Sequence, residues 1–491
     1  MTRRIQSDLF ILGAGFAGSL MALVAQRLGL RPVLVEKGRH PRFAIGESST
    51  PVANLVLEGL ARTYDLPRLL PLTKYGRWQA AYPLMACGLK RGFTFMRHES
   101  GLPFAPRADH ANELLVAASP HDLVGDTHWF REQFDHFLVN EVCSAGIPYF
   151  DQTEVTSLEP GDRWRIRARR GNDELESDAA FLIDASGPSG LLPRTLGIDS
   201  APVRTNSWSV FNHFTRVELW QDVLIEAGGS VADHPYPCDH AALHHVLDDG
   251  WIWVLRFNNG ITSAGVLYDG ERRPPGDRLD PAEEWAQLLQ RYPSVGRQFR
   301  RAKPVQPWVC TGRIQRRALR AAGSNWAMLA HAGYFLDALF SSGNAHSLLT
   351  IERLARIFSR HWGKPSLAEA LAEYDATLQR EVDFVDQLVH GCYRSFRRFD
   401  LLAPFTMYYF AGAIRSEEDR RQGRATERDE FLFSHQPEFR AAFERGYRRL
   451  LELADGGPAA EFEQQVAADI APYNTAGLCD PARRNMYPYI G

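Results

Sequence analysis

The chain has 491 residues, of which 45% are apolar, 23% charged and 11% aromatic, enough for about two or three domains with a sizeable core. Its 56 lysines and arginines nearly balance 59 aspartates and glutamates, giving a net charge of −3. That balance argues against nucleic acid or an anionic membrane as a main partner. The six cysteines lie far apart without a Cys-x-x-Cys pair, which favours reduced thiols over a disulfide framework or a metal site.

The N-terminal segment shows no signal-peptide core behind its first charged residues. Residues 9–26 are free of charge for 18 positions and resemble a membrane span in composition. Three glycines divide this stretch into a strand, a turn and a helix, so we interpret it as buried structure. The expectation is a cytoplasmic, soluble protein with no membrane partner.

The first 36 residues are patterned as a βαβ unit. An apolar strand over 8–12 precedes the sequence GAGFAG at 13–18, and a helical run follows over 19–28. A second strand is predicted over 31–36, and it ends in an acidic residue. This order of strand, glycine turn, helix and strand is the one that dinucleotide binding requires.

Each glycine of the turn has a physical task in such a site. Gly13 makes the tight turn off the strand, Gly15 lets a pyrophosphate approach the backbone, and Gly18 lets the helix pack close to the strand. The helix N-terminus offers free N–H groups to the phosphates, and Glu36 is placed to accept the ribose hydroxyls. The alternative is a glycine turn without a ligand. The predicted nucleotide contacts are Gly13, Gly15, Phe16, Ala17, Gly18 and Glu36.

Further features favour FAD over NAD as the nucleotide. A second glycine-bearing turn follows a strand at 184–188, and an arginine begins a predicted helix at Arg131. No second complete GxGxxG occurs, so we expect the electrons to come from another protein. Arg131, Asp184 and Gly187 are therefore added to the predicted cofactor site.

The middle of the chain, about 150–320, is rich in short strands, and Asn258-Asn259-Gly260 predicts a hairpin between residues 251–257 and 263–268. From about 351 helix formers dominate, as in 366–389 and 438–453.

The predicted class is α/β, with a Rossmann-like FAD domain of the glutathione-reductase type interleaved with a sheet-rich substrate domain. We expect the interleaved part to span 1–365, its substrate sheet about 200–310, and a helical region over 366–491 to cap the substrate cavity.

Five stretches resemble the flavin-dependent halogenases, which share the fold of single-component flavin monooxygenases. The likeness is greatest to the phenolic group that acts on phloroglucinol-like substrates, and it extends over most of the chain. The matching stretches are GAGFAG at 13–18, HPRFAIGES at 40–48 with Thr50-Pro51, CGLKRGFTF at 87–95, GWIWVLRFNN at 250–259 and GYFLDALFSSG at 333–343.

The resemblance implies a reaction in two stages. Reduced FAD (FADH2) and oxygen form a C4a-hydroperoxide, and chloride or bromide attacks it to give hypohalous acid. That oxidant passes through a tunnel to a lysine, beside which an electron-rich aromatic ring is halogenated. The implied partners are a separate flavin reductase and a small aromatic substrate, free or tethered to a carrier protein.

Lys90 matches the family's essential lysine. A buried amine suits the role, because it has three rotatable donors and a pKa that burial lowers. Composition alone would favour a surface strand lysine, and Lys74 is the alternative candidate.

Trp251 and Trp253 match tryptophans that line the space between flavin and substrate, although paired core aromatics are the ordinary alternative. Arg256 replaces the family's proline, and it could bind halide or an acidic substrate, or point to solvent.

The remaining motif residues are expected to contact flavin or halide. Glu47 and Ser48 match a mobile strap that touches the flavin, and an N-capped helix entry at Ser49 or Thr50 with Pro51 is the compatible local interpretation. Asp337 matches a flavin contact. Backbone N–H groups at Ser342 and Gly343 match the halide site, where Ala338 replaces the usual proline.

Two other functions remain open from the sequence. A flavin monooxygenase that hydroxylates an aromatic substrate fits the same scaffold and is favoured by the altered tryptophan motif. A flavin-binding partner without its own catalysis is the second alternative, and the intact Lys90 argues against it. No metal site is expected, because His244-His245 lacks a third ligand nearby in sequence. The substrate, the halide preference, the regiochemistry and the oligomeric state are not determined by the sequence.

Overall fold

The computed structural model describes residues 2–276, 280–426 and 429–490. The chain divides into two interleaved units. The first unit comprises Met1–Pro71, Trp129–Val203 and Arg316–Asp383, and the second comprises Leu72–His128, Arg204–Gln315 and Phe384–Gly491. Each unit is therefore assembled from three separate parts of the sequence.

Strands occur throughout the first 335 residues and once near the C-terminus. In chain order they are β1 (Thr2–Leu12), β2 (Pro32–Val35), β3 (Cys87–Lys90), β4 (Gly92–Arg97), β5 (Glu113–Ala117), β6 (Asp126–Trp129), β7 (Tyr149–Phe150), β8 (Glu154–Glu159), β9 (Trp164–Arg170), β10 (Asp173–Asp184), β11 (Ser207–Thr215), β12 (Ala242–Val246), β13 (Gly250–Arg256), β14 (Ile261–Asp269), β15 (Lys303–Pro304), β16 (Val309–Cys310), β17 (Arg316–Arg317), β18 (Ala322–Gly323), β19 (Trp326–Met328), β20 (Tyr334–Phe335) and β21 (Met486–Tyr487).

The α-helices of the described residues are longest in the last third of the chain. In chain order they are α1 (Phe16–Arg27), α2 (Pro51–Thr63), α3 (Tyr75–Ala81), α4 (Arg131–Ser144), α5 (Leu191–Leu196), α6 (Trp220–Glu226), α7 (Pro281–Arg291), α8 (Pro293–Phe299), α9 (Ala330–Gly333), α10 (Ser342–His361), α11 (Leu367–Ser395), α12 (Phe399–Arg421), α13 (Pro437–Leu453) and α14 (Ala460–Ile470). Among the described residues, we find no helix whose length and apolar character would let it span a membrane.

The first unit is built on a sheet with the strand order β18-β19-β10-β1-β2-β7, extended by β9 and β8. β1 pairs in parallel with both β10 and β2, so that Leu12 is opposite Asp184 on one side and Val35 on the other. The predicted βαβ unit is confirmed. Parallel strands are buried on both faces, which explains why residues 9–12 form a continuous apolar run.

The second unit is built on a nine-stranded sheet with the order β15-β11-β14-β13-β12-β4-β5-β21, and β16 pairs with β11. The predicted hairpin is confirmed as β13 and β14, in which Trp253 is opposite Gly265. Trp208, Ile252 and Tyr268 belong to the hydrophobic core on this sheet. The sheet-rich middle and the α/β class are as predicted from the sequence.

The C-terminal helices also follow the sequence pattern. The helical runs predicted at 366–389 and 438–453 are confirmed by α11 and α13. The division between the units falls within α11, between 383 and 384, whereas the sequence predicted a boundary at 366. The assignment of residues 366–491 as a cap over a substrate cavity stays a prediction.

Candidate functional site

The glycine turn after β1 has the backbone geometry that its sequence predicts. Gly13 has a φ of +91°, and a Cβ there would lie 2.7 Å from the Ala185 carbonyl oxygen. A Cβ on Gly18 would lie 1.9 Å from the Gly13 oxygen, so close packing of α1 on the strand requires glycine. A Cβ on Gly15 would meet nothing nearer than 3.7 Å. Internal packing therefore does not require glycine at 15, whereas close approach of a ligand to the backbone would.

The start of α1 is suited to an anion. Gly15 is the N-cap and provides no side-chain hydrogen bond to the first turn, which contains no acidic residue. Phe16 and Ala17, both predicted contacts, are the first two helical residues. The N–H groups of this turn and the positive end of the helix dipole are the usual binding site for a pyrophosphate.

Glu36 lies just after β2 and its carboxylate is held by the turn itself. Oε2 accepts a hydrogen bond from the Ala14 N–H at 2.9 Å, and Oε1 accepts one from the Gly38 N–H at 2.8 Å. Arg42 Nη2 lies 3.2 Å from Oε2. Burial raises the pKa of Glu36, but Arg42 and the two backbone donors outweigh burial and hold the pKa below its ordinary value. Glu36 is therefore ionised at the edge of the sheet where the glycine turn lies.

The second glycine-bearing turn lies at the same edge of the sheet. Asp184 ends β10, and its Oδ1 accepts hydrogen bonds from the N–H and the hydroxyl of Ser186 at 2.9 and 2.6 Å. Burial raises the pKa of Asp184. Gly187 has a φ of +61° and open space where a Cβ would stand. Since the carboxyl ends of β1, β2 and β10 meet here, Gly13, Glu36 and Asp184 share one crevice edge, as in nucleotide-binding sheets.

Arg131 organises the segment 45–48, which we call the strap. Its guanidinium forms two hydrogen bonds with Asp135, at 2.7 and 2.8 Å, and lies 4.8 Å from the ring centre of Phe16. Its remaining Nη1 donates to the carbonyls of Ile45 and Gly46 at 2.9 and 3.0 Å. The pairing with Asp135 fixes the arginine, and the arginine fixes the strap. Arg131 thus links the first residue of α1 to the predicted flavin contacts.

A second side chain also holds the strap and was missed by the sequence analysis. Asn344 Nδ2 donates to the carbonyls of Gly46 and Ser48 at 3.1 and 3.2 Å. Glu47 is buried, and its carbonyl accepts a hydrogen bond from the Trp129 N–H. The N-cap interpretation is confirmed as well, because Thr50 Oγ1 accepts from the Ala53 N–H and Pro51 is the first residue of α2.

The predicted halide segment forms the start of α10. Ser341 precedes this helix with a φ of +52°, and its own side chain makes no capping hydrogen bond to the first turn. A Cβ on Gly343 would lie 2.5 Å from His331 Nε2, so the imidazole closes one side of the turn. Burial lowers the pKa of His331 to about 3, which leaves the ring neutral. Asp337 Oδ1 accepts from the Leu339 N–H at 3.0 Å and orders the loop before the helix.

In the second unit, Lys90 is the last residue of β3 and is fully buried, with 0% of its surface exposed. Its Nζ lies 3.9 Å from the centre of the Phe93 ring. Burial lowers the pKa of Lys90 to about 7, against an opposing contribution from Asp126. The interpretation as a surface lysine is wrong. An amine whose two protonation states are both populated near neutral pH is suited to reversible chemistry.

Aromatic rings extend from this amine along the sheet. Phe93 contacts Tyr409 and Phe410 of α12, with ring centres 5.7 and 5.6 Å apart, and it stacks on His244 at 5.9 Å. His244 lies 5.1 Å from Trp251. His244 had no predicted role, and it comes from β12 rather than from the strand that carries Phe93.

The two predicted tunnel tryptophans are neighbours, with ring centres 6.2 Å apart. Trp251 Nε1 donates to Tyr393 Oη at 3.3 Å, and Trp253 Nε1 donates to Ser263 Oγ at 3.1 Å. These hydrogen bonds satisfy the polar atom of each buried indole and fix both rings. The tryptophans thus extend the aromatic series that begins at Lys90 and Phe93.

The two remaining cationic candidates have protein partners. Lys74 Nζ lies 3.5 Å from Asp126 Oδ1. Arg256 Nε donates to Asp239 at 3.1 Å, and its Nη2 donates to the carbonyls of Val217 and Glu218. The interpretation of Arg256 as a side chain pointing to solvent is therefore wrong, because its guanidinium joins three loop groups.

The chain is similar to known halogenases in sequence and in fold. A family model described as tryptophan halogenase matches residues 127–403. The chain is 30% identical over 417 residues to monodechloroaminopyrrolnitrin halogenase PrnC of Pseudomonas fluorescens, covering 83% of this chain and 71% of that protein. It is 29% identical over 403 residues to tetracycline 7-halogenase of Kitasatospora aureofaciens, covering 80% and 71%. The crystal structure of halogenase PltM in complex with phloroglucinol and FAD superposes with a TM-score of 0.86 at 25% identity, covering 97% of this chain and 99% of that one.

Proposed function

Because the chain belongs to the flavin-dependent halogenase family, we propose that it halogenates a free phenolic ring and that Lys90 receives the oxidised halogen. The protein is a flavoenzyme that uses FAD and chloride or bromide. The observation that supports the proposed role most directly is a fully buried lysine, 3.9 Å from an aromatic ring centre. The other steps below depend on that residue.

The residues of the first unit fit FAD. Gly15 leaves room for the pyrophosphate, Glu36 presents an ionised carboxylate for the ribose, and the strap is ordered by Arg131 and Asn344. When bound and reduced, the flavin would supply, together with oxygen, the two-electron oxidant that converts halide into hypohalous acid. The backbone at the start of α10, at Ser342 and Gly343, is where we propose that the halide is held. A separate flavin reductase would deliver the reduced cofactor.

At Lys90 we propose an N-halogenated intermediate. The neutral amine attacks the halogen of hypohalous acid, and an N–halogen bond forms as the oxygen–halogen bond breaks. The released hydroxide takes one amine proton and leaves as water. The aromatic carbon of the substrate then takes the halogen, and the ring proton passes to the amine, which regenerates Lys90. Burial supports this route because it favours the neutral form of the amine.

A phenolic substrate fits the chemistry of the rings beside Lys90. Phe93, Tyr409, Phe410 and Trp251 offer apolar surface suited to a planar ring, and the similar PltM structure holds phloroglucinol. The hydrogen-bonded Trp251 and Trp253 would keep the substrate away from the oxidant at its source, which supports halogenation over hydroxylation.

Product analysis tests the proposed function. The purified chain, supplied with FADH2 by an added reductase, with oxygen, bromide and a panel of phenols including phloroglucinol, is expected to form a monobrominated phenol. Mass spectrometry reads the bromine isotope doublet, and reactions without bromide are the control. Products that contain oxygen from labelled O2 and no halogen would contradict the proposal and identify a hydroxylase.

The pH dependence of coupling tests the N-halogenated intermediate. Since the pKa of Lys90 is lowered to about 7, the reactive neutral fraction increases as pH rises through 7. Brominated product formed per flavin oxidised is therefore expected to rise between about pH 6 and pH 8. Dividing the product by the amount of flavin oxidised corrects for the pH dependence of flavin oxidation itself. A ratio that falls over the same range would indicate instead that the ammonium form binds hypohalous acid by hydrogen bonding.

A further inference from the structure

Three polar side chains in the second unit meet at the end of β5 that lies away from Lys90. His110 lies in the loop before β5, Glu113 is the first residue of β5, and His234 lies in the loop between α6 and β12. Their potential ligand atoms all lie within 4.8 Å of one another. The side chains are almost fully buried, with 5%, 2% and 2% of their surfaces exposed. Two imidazoles and one carboxylate in this setting are a common set of transition-metal ligands.

The separations between these atoms fit a tetrahedral ion. Glu113 Oε2 lies 3.3 Å from His110 Nδ1 and 3.1 Å from His234 Nε2. Tetrahedral zinc has bonds of about 2.0–2.1 Å to nitrogen and oxygen, which places neighbouring ligand atoms about 3.3 Å apart. Hydrogen bonds from two imidazoles to Glu113 would give similar distances. The surroundings of His110 favour the metal.

The second nitrogen of His110 also faces a carboxylate. His110 Nε2 lies 3.4 Å from Asp233 Oδ2, and Arg484 Nη2 holds the same oxygen at 2.7 Å. With a metal at Nδ1, the N–H at Nε2 donates to Asp233. A ligating histidine with a carboxylate on its other nitrogen is the usual arrangement around protein-bound zinc.

His234 faces the cluster through Nε2, because that nitrogen lies 3.1 Å from Glu113 Oε2. Its Nδ1 is buried and has no hydrogen-bond partner among the residues that the structure describes. Nε2 is therefore the ligand atom that His234 offers.

We propose that His110, Glu113 and His234 bind one divalent transition-metal ion, for which Zn²⁺ is the probe, with Asp233 orienting His110. The role is structural. Glu113 pairs with Met96, whereas Ala117 pairs with Gly92 near Lys90, so the site lies about 13 Å along the hairpin from the proposed catalytic end. The sequence did not reveal these ligands, because His234 lies 121 positions from Glu113.

The ion would fasten the C-terminal segment to the sheet. Asn485 Nδ2 donates to the His110 carbonyl at 3.2 Å, and the Leu115 N–H donates to the Asn485 carbonyl at 2.9 Å. Met486 of β21 pairs with Leu115 of β5. Fixing His110 and Glu113 therefore stabilises the strand pair that ends the chain.

Metal analysis of the untagged full chain tests the proposal. After incubation with Zn²⁺ and dialysis, we expect about one equivalent of zinc per chain by plasma mass spectrometry. Zn²⁺ should raise the melting temperature, and a chelator should lower it. Glu113→Gln and His234→Ala are expected to lose the zinc and its thermal effect. His121→Ala removes an exposed histidine of the same unit and is the matched control that keeps both.

A wild-type chain that retains no zinc after dialysis would overturn the proposal, and so would full zinc content in both variants. If the variants do not fold, the wild-type chain with Co²⁺ decides the question. Intense visible bands of a tetrahedral complex support the site, whereas the weak spectrum of hydrated Co²⁺ refutes it. None of these measurements depends on halogenase activity, so failure of the metal site and failure of the proposed function remain distinguishable.

Discussion

Lys90→Met is expected to abolish aromatic bromination while FAD remains bound. The substitution removes the amine that would receive the halogen and keeps an unbranched apolar side chain beside Phe93. Loss of a group that reacts directly and transfers a proton lowers rates by roughly 10²–10⁴-fold or more. Brominated product per flavin oxidised measures the effect, and flavin absorbance of the desalted protein measures cofactor binding. Lys74→Met, which removes a lysine paired with Asp126, is the matched control and should retain most of the coupling.

Lys90→Met is not expected to lower the stability of the folded chain, because burial of the charged lysine is itself unfavourable. In the folded chain the pKa of Lys90 is lowered to about 7, while in the unfolded chain it is near its usual 10.5. Stability is therefore lost as pH falls from 10.5 to 7, and the full cost is present below 7. Methionine carries no charge, so the melting temperature at pH 7 should equal or exceed that of the wild type. Normal bromination by a well-folded Lys90→Met protein would contradict the proposed role of Lys90.

Short-range sequence patterns were sufficient to predict the backbone structure around the glycine turn. The turn at Gly13 and the packing at Gly18 depend on backbone geometry within a few residues, and so the motif alone predicted strand, turn and helix. The acidic end of β2 is likewise fixed by the length of one βαβ unit. For the same reason the hairpin of β13 and β14 followed from its Asn-Asn-Gly turn.

The surroundings of the candidate site could not be predicted in this way. The aromatic surroundings of Phe93, the ring beside Lys90, include Tyr409 and Phe410 of α12, more than 300 residues later in the chain. Asn344 reaches the strap from 296 to 298 positions away in sequence. Hydrophobic periodicity and motif spacing do not predict such contacts, because the contacts form only when distant segments of the chain pack together in one unit.

Glu417 is a further group that only the structure identifies. It lies on α12, and burial raises its pKa to about 7, with nearby contributions from Arg421, Asp126 and Lys74. In the sequence it belongs to a charged run typical of a solvent-exposed helix face, but the residue is buried. Lys90 and Glu417 therefore both have a pKa near 7, and Asp126 influences both.

Gly15→Val is expected to lower the affinity for FAD by at least about 100-fold, or roughly 2.7 kcal/mol. Gly15 has a φ of −65° and a ψ of 177°, which any residue adopts, and a Cβ there would stay 3.7 Å from the nearest protein atom. The apoprotein should therefore fold normally, whereas the added methyl groups would occupy the space in which a pyrophosphate meets the helix N-terminus. Flavin titration followed by fluorescence gives the affinity, and thermal melting of the apoprotein reports on folding.

Gly59→Val is the matched control, since a Cβ at this position of α2 meets no atom within 4 Å and lies outside the predicted cofactor site. It should bind FAD as the wild type does. Gly18→Val differs from both, because its Cβ would lie 1.9 Å from the Gly13 oxygen and would disturb the fold itself. Three substitutions of the same kind thus separate ligand approach, backbone packing and a neutral change. Wild-type flavin affinity in a folded Gly15→Val protein would place the pyrophosphate elsewhere.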